Sequence, residues 1–448
     1  MRGSLVMVLA AALGACTSPW DPERDGSVDS WFPDAGGDAY EEPLYEPPEC
    51  TGDDDCDDGN ACTRDGCVEG ACTNEPFTGQ AFTEPDVQVT DHPYHVGAVS
   101  TSWTGATVGI AWTDGRDGGC RELGLVACNT EVFFNRLSGA AEVLDADIRL
   151  SGTEVESSLY ALRWTGTLHL AMWLEWDRST TNAPWIARVD PTGHDVGSEV
   201  GPGTVERDAF SPAVAWTGSE IALTWIGGSW GSSEPNELHL TRFTPDGTEI
   251  ADTVLVSDSE LSWSSHILVW TGSELAMTYS VSNDHFLGRF TPDGTMVDEM
   301  EFRFYSAHGW ISGIVWTGSE FGLFYRGALG VEDSCPDTYC NNLNFRRLAS
   351  DASYVGEFAQ ITDNHRDLYL TDVLWTGSEW GVSWYRETAW GYESWLTRLG
   401  PDGVRVDEAL RLRDPSPVEW TGGASVVAWR GQRAGEWNVF ENVVGRCA

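Results

Sequence analysis

The sequence has 448 residues, of which 70 are acidic and 26 are basic, so its formal net charge is −44. An acidic surface of this strength repels phosphate groups, which disfavours nucleic acid and anionic lipid headgroups as direct partners. The 23 tryptophans are far more than a chain of this length usually carries, and they indicate a repeated structural role.

The first 15 residues are typical of a bacterial export signal. A positively charged start precedes an apolar run, residues 4–13, that is too short to span a bilayer. The tetrapeptide Leu-Gly-Ala-Cys that ends at Cys16 resembles the lipobox of bacterial lipoproteins. This resemblance implies that Cys16 is lipidated and anchors the protein in the cell envelope, at the outer membrane or cell surface rather than the inner membrane. An ordinary secretory signal is the alternative, and it would also export the chain.

Residues 16–49 are rich in Asp, Glu, Pro and Gly and poor in aliphatic residues. Such a segment cannot bury a core, so we predict that the lipidated cysteine is followed by a disordered acidic tether.

Ten cysteines remain after Cys16, and an exported compartment allows them to form disulfides. Residues 50–75 resemble a short cysteine-rich module of exported proteins from myxobacteria and their relatives, with Cys50, Cys56, Cys62, Cys67 and Cys72. Five cysteines leave one unpaired, so we expect a bridge from this module to Cys447, which requires the two ends to meet. A free thiol at Cys447, or a link to another chain, is the alternative. Two further pairs are local: Cys120 with Cys128 and Cys335 with Cys340.

The acidic run at residues 53–58 partly fits a calcium-binding loop. Asp54 and Asp58 match the first and fifth positions of the pattern, whereas Cys56 stands where the third ligand should be. We therefore expect a solvated acidic loop, with Ca²⁺ at Asp54 and Asp58 as the alternative, and we predict no other metal or cofactor.

The tripeptide Trp-Thr-Gly recurs at intervals that indicate a propeller or a solenoid. Seven copies start at Trp103, Trp164, Trp216, Trp270, Trp316, Trp375 and Trp420. Apolar residues alternate on both sides of the tripeptide, which predicts a β-hairpin with glycine in its turn. A third strand, a Pro-Asp-Gly turn and a fourth strand follow in several units, so each unit predicts a four-stranded antiparallel blade.

The seventh unit has room for three strands only, and the missing strand is expected near the N-terminus. Residues 86–91 resemble the fourth strands of other units. We therefore predict an all-β fold, a seven-bladed propeller over residues 83–448 closed by its N-terminal strand, which leaves no sheet edge open. Tandem Trp-Thr-Gly-Ser-Glu units resemble those of myxobacterial lipoproteins, a likeness that implies no activity.

Acidic and basic residues recur at fixed places in the hairpins. A Glu opens the second strand and an Arg ends the third strand, and these two places face each other in an antiparallel blade. We expect structural ion pairs within blades: Glu220 with Arg242, Glu274 with Arg289, Glu320 with Arg347, and Glu379 with Arg398.

Sequence motifs of zinc proteases, P-loop enzymes and Cys-x-x-Cys redox proteins are absent, so we assign no catalytic residue. The loops that vary between units emerge on the rim opposite the tight turns, and loops on a rigid scaffold commonly carry binding. They hold aromatic and acidic residues that could stack on and hydrogen-bond a sugar: Trp176, Asp177, Trp230, Trp390, Tyr392 and Trp395, with Asp284 and Asp363 nearby. Simple capping of the blades is the structural alternative.

These features favour an exported, membrane-anchored lipoprotein whose propeller binds a protein or a glycan through its variable loops. One alternative is a propeller-type polysaccharide hydrolase or lyase with paired carboxylates in the central depression. Another is a structural scaffold of the envelope.

Overall fold

The computed structural model describes residues 50–448 except for the following positions: 59, 77, 83–85, 93, 118–128, 140–141, 153–154, 177–180, 230–233, 263–265, 303, 305–308, 328–341, 363–367, 389–390, 434–435 and 448. The predicted signal peptide, Cys16 and the tether lie outside the described residues. So do the pairs Cys120–Cys128 and Cys335–Cys340. Cys50–Ala448 forms one compact unit.

The cysteine-rich module is a small hairpin fixed by disulfides. A 3₁₀ turn, Asp53–Cys56, precedes strands β1 (Thr63–Val68) and β2 (Ala71–Pro76), which pair with each other. Cys50 bonds to Cys67 and Cys56 bonds to Cys72. Such cross-links hold together a segment too small to bury its own core.

The rest of the described chain forms seven antiparallel sheets, each containing one Trp-Thr-Gly hairpin, so the predicted seven-bladed propeller is confirmed. Blades 1 and 2 contain β5 (Val96–Trp103), β6 (Thr107–Asp114), β7 (Glu131–Ser138), β8 (Ile148–Arg149), β9 (Glu156–Trp164), β10 (His169–Trp176) and β11 (Ala183–Val189). In blade 2 the place of a fourth strand is taken by residues 195–200, which make two isolated bridges to β11.

Blades 3 to 5 follow the same order of strands, from the axis outward. Their strands are β12 (Asp208–Trp216), β13 (Ile221–Gly228), β14 (Asn236–Phe243), β15 (Glu249–Asp258), β16 (Ile267–Trp270), β17 (Leu275–Val281), β18 (Asp284–Phe290), β19 (Met296–Phe302), β20 (Trp310–Trp316), β21 (Phe321–Arg326), β22 (Leu343–Leu348) and β23 (Tyr354–Gln360).

Blades 6 and 7 complete the ring, and blade 7 is built from both ends of the chain. Their strands are β24 (Leu368–Trp375), β25 (Trp380–Thr388), β26 (Gly391–Leu399), β27 (Leu410–Leu412), β28 (Val418–Trp420), β29 (Ser425–Arg433) and β30 (Glu436–Cys447). The inner strands contact one another around the axis, and β28 of blade 7 contacts β5 of blade 1.

The closing strand lies where the sequence predicts it, although it is longer and divided. β4 (Val87–Gln88) pairs with β30, and Val89 N–H donates to the Val439 carbonyl at 2.8 Å. A second piece, β3 (Gly79–Phe82), pairs with the last residues of β30, so the sheet extends back before residue 83. Cys62 is bonded to Cys447, which is the expected bridge between the two ends.

The threonine of each Trp-Thr-Gly copy fixes the turn. In blade 3, Thr217 Oγ1 accepts the Glu220 N–H at 3.0 Å and donates to the Glu220 carbonyl at 3.1 Å. Gly218 has φ of 92°, a conformation that favours glycine. The bond from threonine Oγ1 to the carbonyl three residues later recurs in all seven hairpins.

The core lies between neighbouring blades. An aromatic residue nine positions after each turn tryptophan is buried in every blade. These residues are Trp112, Trp173, Trp225, Tyr279, Tyr325, Trp384 and Trp429. Successive side chains of a strand point to opposite faces of its sheet and pack against the blades on either side, so second strands such as β6, β10 and β13 are buried along almost their whole length. No helix among the described residues is long and apolar enough to cross a membrane.

Each expected Glu–Arg contact is present in its blade. The shortest nitrogen–oxygen distances are 2.9 Å for Arg242–Glu220, 3.1 Å for Arg289–Glu274, 2.7 Å for Arg347–Glu320 and 2.6 Å for Arg398–Glu379.

The arginines at the end of the third strand also connect neighbouring blades, a role that the sequence analysis missed. Arg289 donates to the Ser350 carbonyl of blade 5 at 3.0 Å, and Arg188 donates to the Pro245 carbonyl of blade 3 at 3.2 Å. Each of these bonds ties one blade to the outer turn of the next one.

Candidate functional site

The propeller has two different faces. The Trp-Thr-Gly turns and the outer Pro-Asp-Gly turns lie on one rim, which we call the turn face. The connections between second and third strands, and those between blades, lie on the opposite rim, which we call the loop face.

The eight predicted ligand-binding residues do not form one cluster in the described structure. Trp176 ends the second strand of blade 2 and is 38% exposed, and Asp284 is exposed at the start of the third strand of blade 4. Tyr392 and Trp395 are both on β26 of blade 6, but their side chains project from opposite faces of the sheet. The other four lie outside the described residues: Asp177, Trp230, Asp363 and Trp390.

Blade 6 presents a row of three tyrosine rings at the loop face, Tyr369, Tyr385 and Tyr392, which we call the tyrosine ladder. Tyr369 and Tyr385 are directly opposite on β24 and β25, with ring centroids 5.1 Å apart and nearly parallel planes. Tyr392 meets Tyr385 edge to face at 5.3 Å. The guanidinium of Arg326, from blade 5, lies 4.8 Å from the Tyr369 ring on the inner end of the ladder.

The ladder is held rigidly, and its outer end is free. Arg326 donates to the Leu368 carbonyl at 2.9 Å, which fixes the guanidinium against the first ring. Tyr369 and Tyr385 are half-buried, whereas Tyr392 is 51% exposed. Because the β25–β26 hairpin continues to the Thr388–Gly391 pair, Tyr392 projects at the rim.

A second stack lies on the opposite face of the same hairpin from the tyrosine ladder. Trp384 and Trp395 have ring centroids 4.4 Å apart, and Arg386 lies 5.1 Å from the Trp395 ring. Glu393 accepts a bond from Arg386 Nε at 2.6 Å. This carboxylate and guanidinium neutralise each other, so the stack adds apolar surface without net charge.

The hydroxyl group of Tyr385 stays protonated at neutral pH. Burial is the main cause that raises the pKa of Tyr385, and Tyr392, Tyr369 and Glu387 raise it further, against the opposing effect of Arg326. A protonated phenol both donates and accepts hydrogen bonds. The exposed carboxylate of Glu387, directly opposite Tyr392 on the neighbouring strand, adds an acceptor.

Two carboxyl groups meet in the central channel, on the half nearer the turn face. Asp372 Oδ2 accepts the Val418 N–H of blade 7 at 3.1 Å, and its Oδ1 accepts the Val373 N–H at 2.9 Å. Burial raises the pKa of Asp372, and burial followed by the Asp372 charge raises the pKa of Glu419 to about 7. Arg163 opposes both shifts, and its Nη1 donates to the Leu162 carbonyl at 3.0 Å.

These channel groups hold the inner strands in place. The inner strands have no neighbouring strand on the side of the axis. Some of their N–H groups therefore donate a hydrogen bond to a side chain of the preceding blade. Ser100 Oγ accepts the Leu162 N–H at 3.0 Å at the position that Asp372 occupies in blade 6. The arrangement gives Asp372 a structural role at the end of the channel opposite the variable loops.

The module also holds a cluster of acids that could ligate a cation. Carboxylate oxygens of Asp57, Asp58 and Asp65 lie within 4.8 Å of one another. Asp58 Oδ1 already accepts the Asn60 N–H at 2.8 Å and a bond from Thr63. The side chain of Asp54 lies outside the described residues, so Ca²⁺ at Asp54 and Asp58 stays a prediction.

Sequence reasoning missed the inner part of the tyrosine ladder. Tyr385 follows the buried aromatic Trp384 by one residue, and Tyr369 stands at the start of an inner strand. Each looks like an ordinary strand residue until the register of β24 and β25 places one ring on the other.

No protein-family model and no curated protein sequence matches this chain. Among solved structures, the propeller domain of the Trilobed protease from Pyrococcus furiosus is similar at 11% identity and a TM-score of 0.38, over 65% of this chain and 82% of that one. A prolyl endopeptidase matches at 12% identity and a TM-score of 0.46 over 77% of this chain, which spans 46% of that protein. The α-L-arabinofuranosidase Arb93A from Fusarium graminearum matches at 10% identity and a TM-score of 0.41, over 80% and 96%. At these scores none of the likenesses bears on the activity of this chain.

Proposed function

We propose that the propeller is a binding module that holds a glycan at the loop face of blade 6, with Tyr392 as the stacking ring. The observation that carries this proposal is the rigid tyrosine ladder with one half-exposed end. A ring already fixed by its neighbours loses little conformational entropy when a ligand packs on it.

The chemistry of the platform suits a sugar. The apolar face of a pyranose packs on an aromatic ring, while hydroxyl and carboxylate groups around it exchange hydrogen bonds with the sugar hydroxyls. Glu387 lies opposite Tyr392, and the Tyr385 hydroxyl stays protonated. Because the chain carries a net charge of −44, we expect a neutral or amino glycan rather than a uronate- or sulfate-bearing one.

The test is a binding screen of the full-length chain against neutral, amino and acidic oligosaccharides, followed by titration calorimetry on the best ligand. We expect Tyr392→Ala to weaken binding about tenfold or more, which corresponds to about 1.4 kcal/mol. Tyr354→Ala is a matched control, because Tyr354 is 41% exposed and lies 3.9 Å from the Arg346 guanidinium, but on the outer strand of blade 5. Equal affinities for the wild type and the Tyr392→Ala variant would refute the proposal, and capture of a protein ligand alone would replace it.

A polysaccharide hydrolase or lyase is the second candidate, and the carboxyl pair of the channel favours it. Glu419, with its pKa raised to about 7, has the protonation behaviour of a general acid, and Asp372 lies near it. The test is release of reducing ends from a polysaccharide panel, compared with the Glu419→Gln variant. Release that this variant abolishes would establish the hydrolase.

We also propose that the protein is exported and anchored through a lipid on Cys16. The lipobox-like tetrapeptide supports this assignment, as do the three disulfides, since disulfides persist in oxidising compartments. Metabolic labelling with an alkyne fatty acid should mark the wild-type protein and fail to mark Cys16→Ser. Equal labelling of both would exclude lipidation at this residue.

A further inference from the structure

Neighbouring blades interlock near the turn face through one repeated contact. The contact joins the start of the second strand in two successive blades. The residue five positions after the Trp of Trp-Thr-Gly in one blade lies over the residue six positions after that Trp in the preceding blade. Large residues meet small ones here: a Cβ on Gly109 would lie 2.6 Å from the His169 ring, and a Cβ on Gly322 would lie 2.4 Å from the Trp380 ring. Apolar pairs in the same places share core clusters between other blades: Leu170 with Ile221, Ala222 with Leu275, Ala276 with Phe321, and Val426 with Val108.

The contact between blades 6 and 7 lacks this interlock. Ser425 stands where the other blades have a larger residue, and it faces Gly381, which is also small. The side chain nearest to a Cβ on Gly381 is Leu374 of its own blade, at 3.2 Å. Gly381, Gly423, Ala424 and Ser425 line a shallow solvent-open depression at this junction.

The contact between blades 7 and 1 carries a different defect. The second-strand residue eight positions after the Trp of Trp-Thr-Gly pairs with a residue of the third strand. That third-strand residue is apolar in six blades: Phe134, Ile186, Leu240, Leu287, Phe345 and Leu396. Blade 7 has Glu441 there, opposite Ala428. Glu441 is 0% exposed, and neither of its carboxyl oxygens has a hydrogen-bond partner among the described residues.

The strands of blade 7 are also short where they meet the ring. β28 has three residues and the inner strand of blade 4, β16, has four, whereas the inner strands of blades 1, 2, 3, 5 and 6 have seven to nine. The N-terminal strand that completes the sheet is divided into β3 with four residues and β4 with two. Fewer ladder bonds and imperfect packing make a sheet open locally at lower free energy than its neighbours.

Cross-links and polar bonds connect blade 7 to the rest of the molecule instead. The Cys62–Cys447 disulfide joins the module to the last strand. Arg446 bonds to Glu379 of blade 6 at 2.7 Å, and Asn442 donates to Asp86 beside the closing strand at 2.8 Å.

We propose that blade 7 is a built-in opening point of the ring and that the Cys62–Cys447 disulfide is the latch that keeps it closed. The missing interlock between blades 6 and 7 and the buried Glu441 on the side of blade 7 that faces blade 1 define the opening point. With the latch absent, the last strand and the closing strand separate locally while the other six blades stay folded.

Hydrogen exchange on the full-length chain tests the latch. In the Cys62→Ser/Cys447→Ser variant, we expect peptides from residues 418–447 and 79–91 to exchange at least tenfold faster, and peptides from blades 3 and 4 to keep their protection. The Cys50→Ser/Cys67→Ser variant is the matched control, because it removes a disulfide inside the module and should leave blade 7 unchanged. Unchanged exchange in blade 7, or equal acceleration in all blades, would overturn the proposal.

A repair variant separates the junctions from a general effect of cysteine removal. Ser425→Val and Glu441→Leu introduce residues that other blades have at these positions, Val108 and Leu240 among them. In the background without Cys62 and Cys447 they should restore blade 7 protection at least in part, and in the wild-type background they should slow exchange in blade 7 alone. If the repaired chain exchanges like the unrepaired one in both backgrounds, the junctions are not the opening point.

Discussion

Glu441 should make the propeller less stable as the pH rises, and its replacement by leucine should remove that dependence. The side chain is fully buried and has no hydrogen-bond partner in the part of the chain that the structure describes, and burial raises its pKa from 4.5 to about 8. Since the carboxyl group ionises in the unfolded chain first, its contribution to stability is complete below pH 4.5 and is lost progressively as the pH rises to about 8.

The magnitude follows from the size of the pKa shift. Each unit of pKa difference between the folded and unfolded states is worth about 1.4 kcal/mol, so the shift from 4.5 to about 8 corresponds to roughly 5 kcal/mol. The slope of the free energy of unfolding should therefore change by about 1.4 kcal/mol per pH unit when Glu441 becomes leucine.

The assay is urea unfolding of the wild type and Glu441→Leu at several values between about pH 5 and pH 8. Other buried acids contribute to the absolute slope, and taking the difference between the two proteins removes them. Glu357→Leu is the control, because the Glu357 side chain is exposed on the outer strand of blade 5. A difference between wild type and Glu441→Leu that does not grow with pH would refute the buried, neutral state of Glu441.

The remaining predictions concern packing, the ion pairs and one buried aspartate. Gly322→Ala should destabilise the fold by about 1–3 kcal/mol, because the new Cβ would lie 2.4 Å from Trp380. Gly423→Ala should not destabilise it, because no atom lies within 4 Å of the new Cβ, and thermal unfolding compares the two variants. The coupling free energy between Glu220 and Arg242 in a double-mutant cycle should be about 1 kcal/mol or less, since both side chains keep some solvent exposure. A coupling of zero would mean that the ion pair does not contribute to the free energy of unfolding. Hydrogen bonds from His92, Arg116 and Trp112 outweigh burial and lower the pKa of Asp114 to about 2. Its contribution to stability is therefore present above pH 3.8 and is lost as the pH falls to about 2. Asp114→Asn should reduce the fall of the free energy of unfolding over this pH range.

The regular part of the fold could be predicted because local chemistry alone determines it. The Trp-Thr-Gly turn carries its own threonine bonds and a glycine with positive φ, so each hairpin is recognisable without its neighbours. A bridge from the cysteine-rich module to Cys447 followed from an odd number of cysteines and a ring that must close, whereas the structure identifies Cys62 as the partner.

The candidate site could be predicted only in part, because it depends on the register between strands that are distant in sequence. Tyr392 stands in a variable loop hairpin and was recognised, but Tyr369 and Tyr385 become a stack only when β24 pairs with β25, across an irregularity between Leu370 and Asp372. Arg326 comes from the neighbouring blade, and no local pattern indicates that it lies against Tyr369.

The divided closing strand and the buried glutamate have a similar explanation. Phe82 pairs with Val444 and Val87 pairs with Glu441, so the two pieces meet β30 in different registers, which the pattern of a single strand does not predict. Glu441 breaks the alternation of its strand, so the pattern alone would place it at the surface. The structure buries it because its neighbours on the same face, Val439 and Val443, pack against blade 1.

The central claim, that the loop face of blade 6 binds a glycan, is tested most directly by hydrogen exchange with and without the best oligosaccharide of the screen. The account predicts slower exchange in peptides that cover residues 368–370 and 385–393, with no change in the Trp-Thr-Gly turns. Protection confined to the channel at residues 416–420 or to the turn face, or no protection anywhere at saturating ligand, would contradict it.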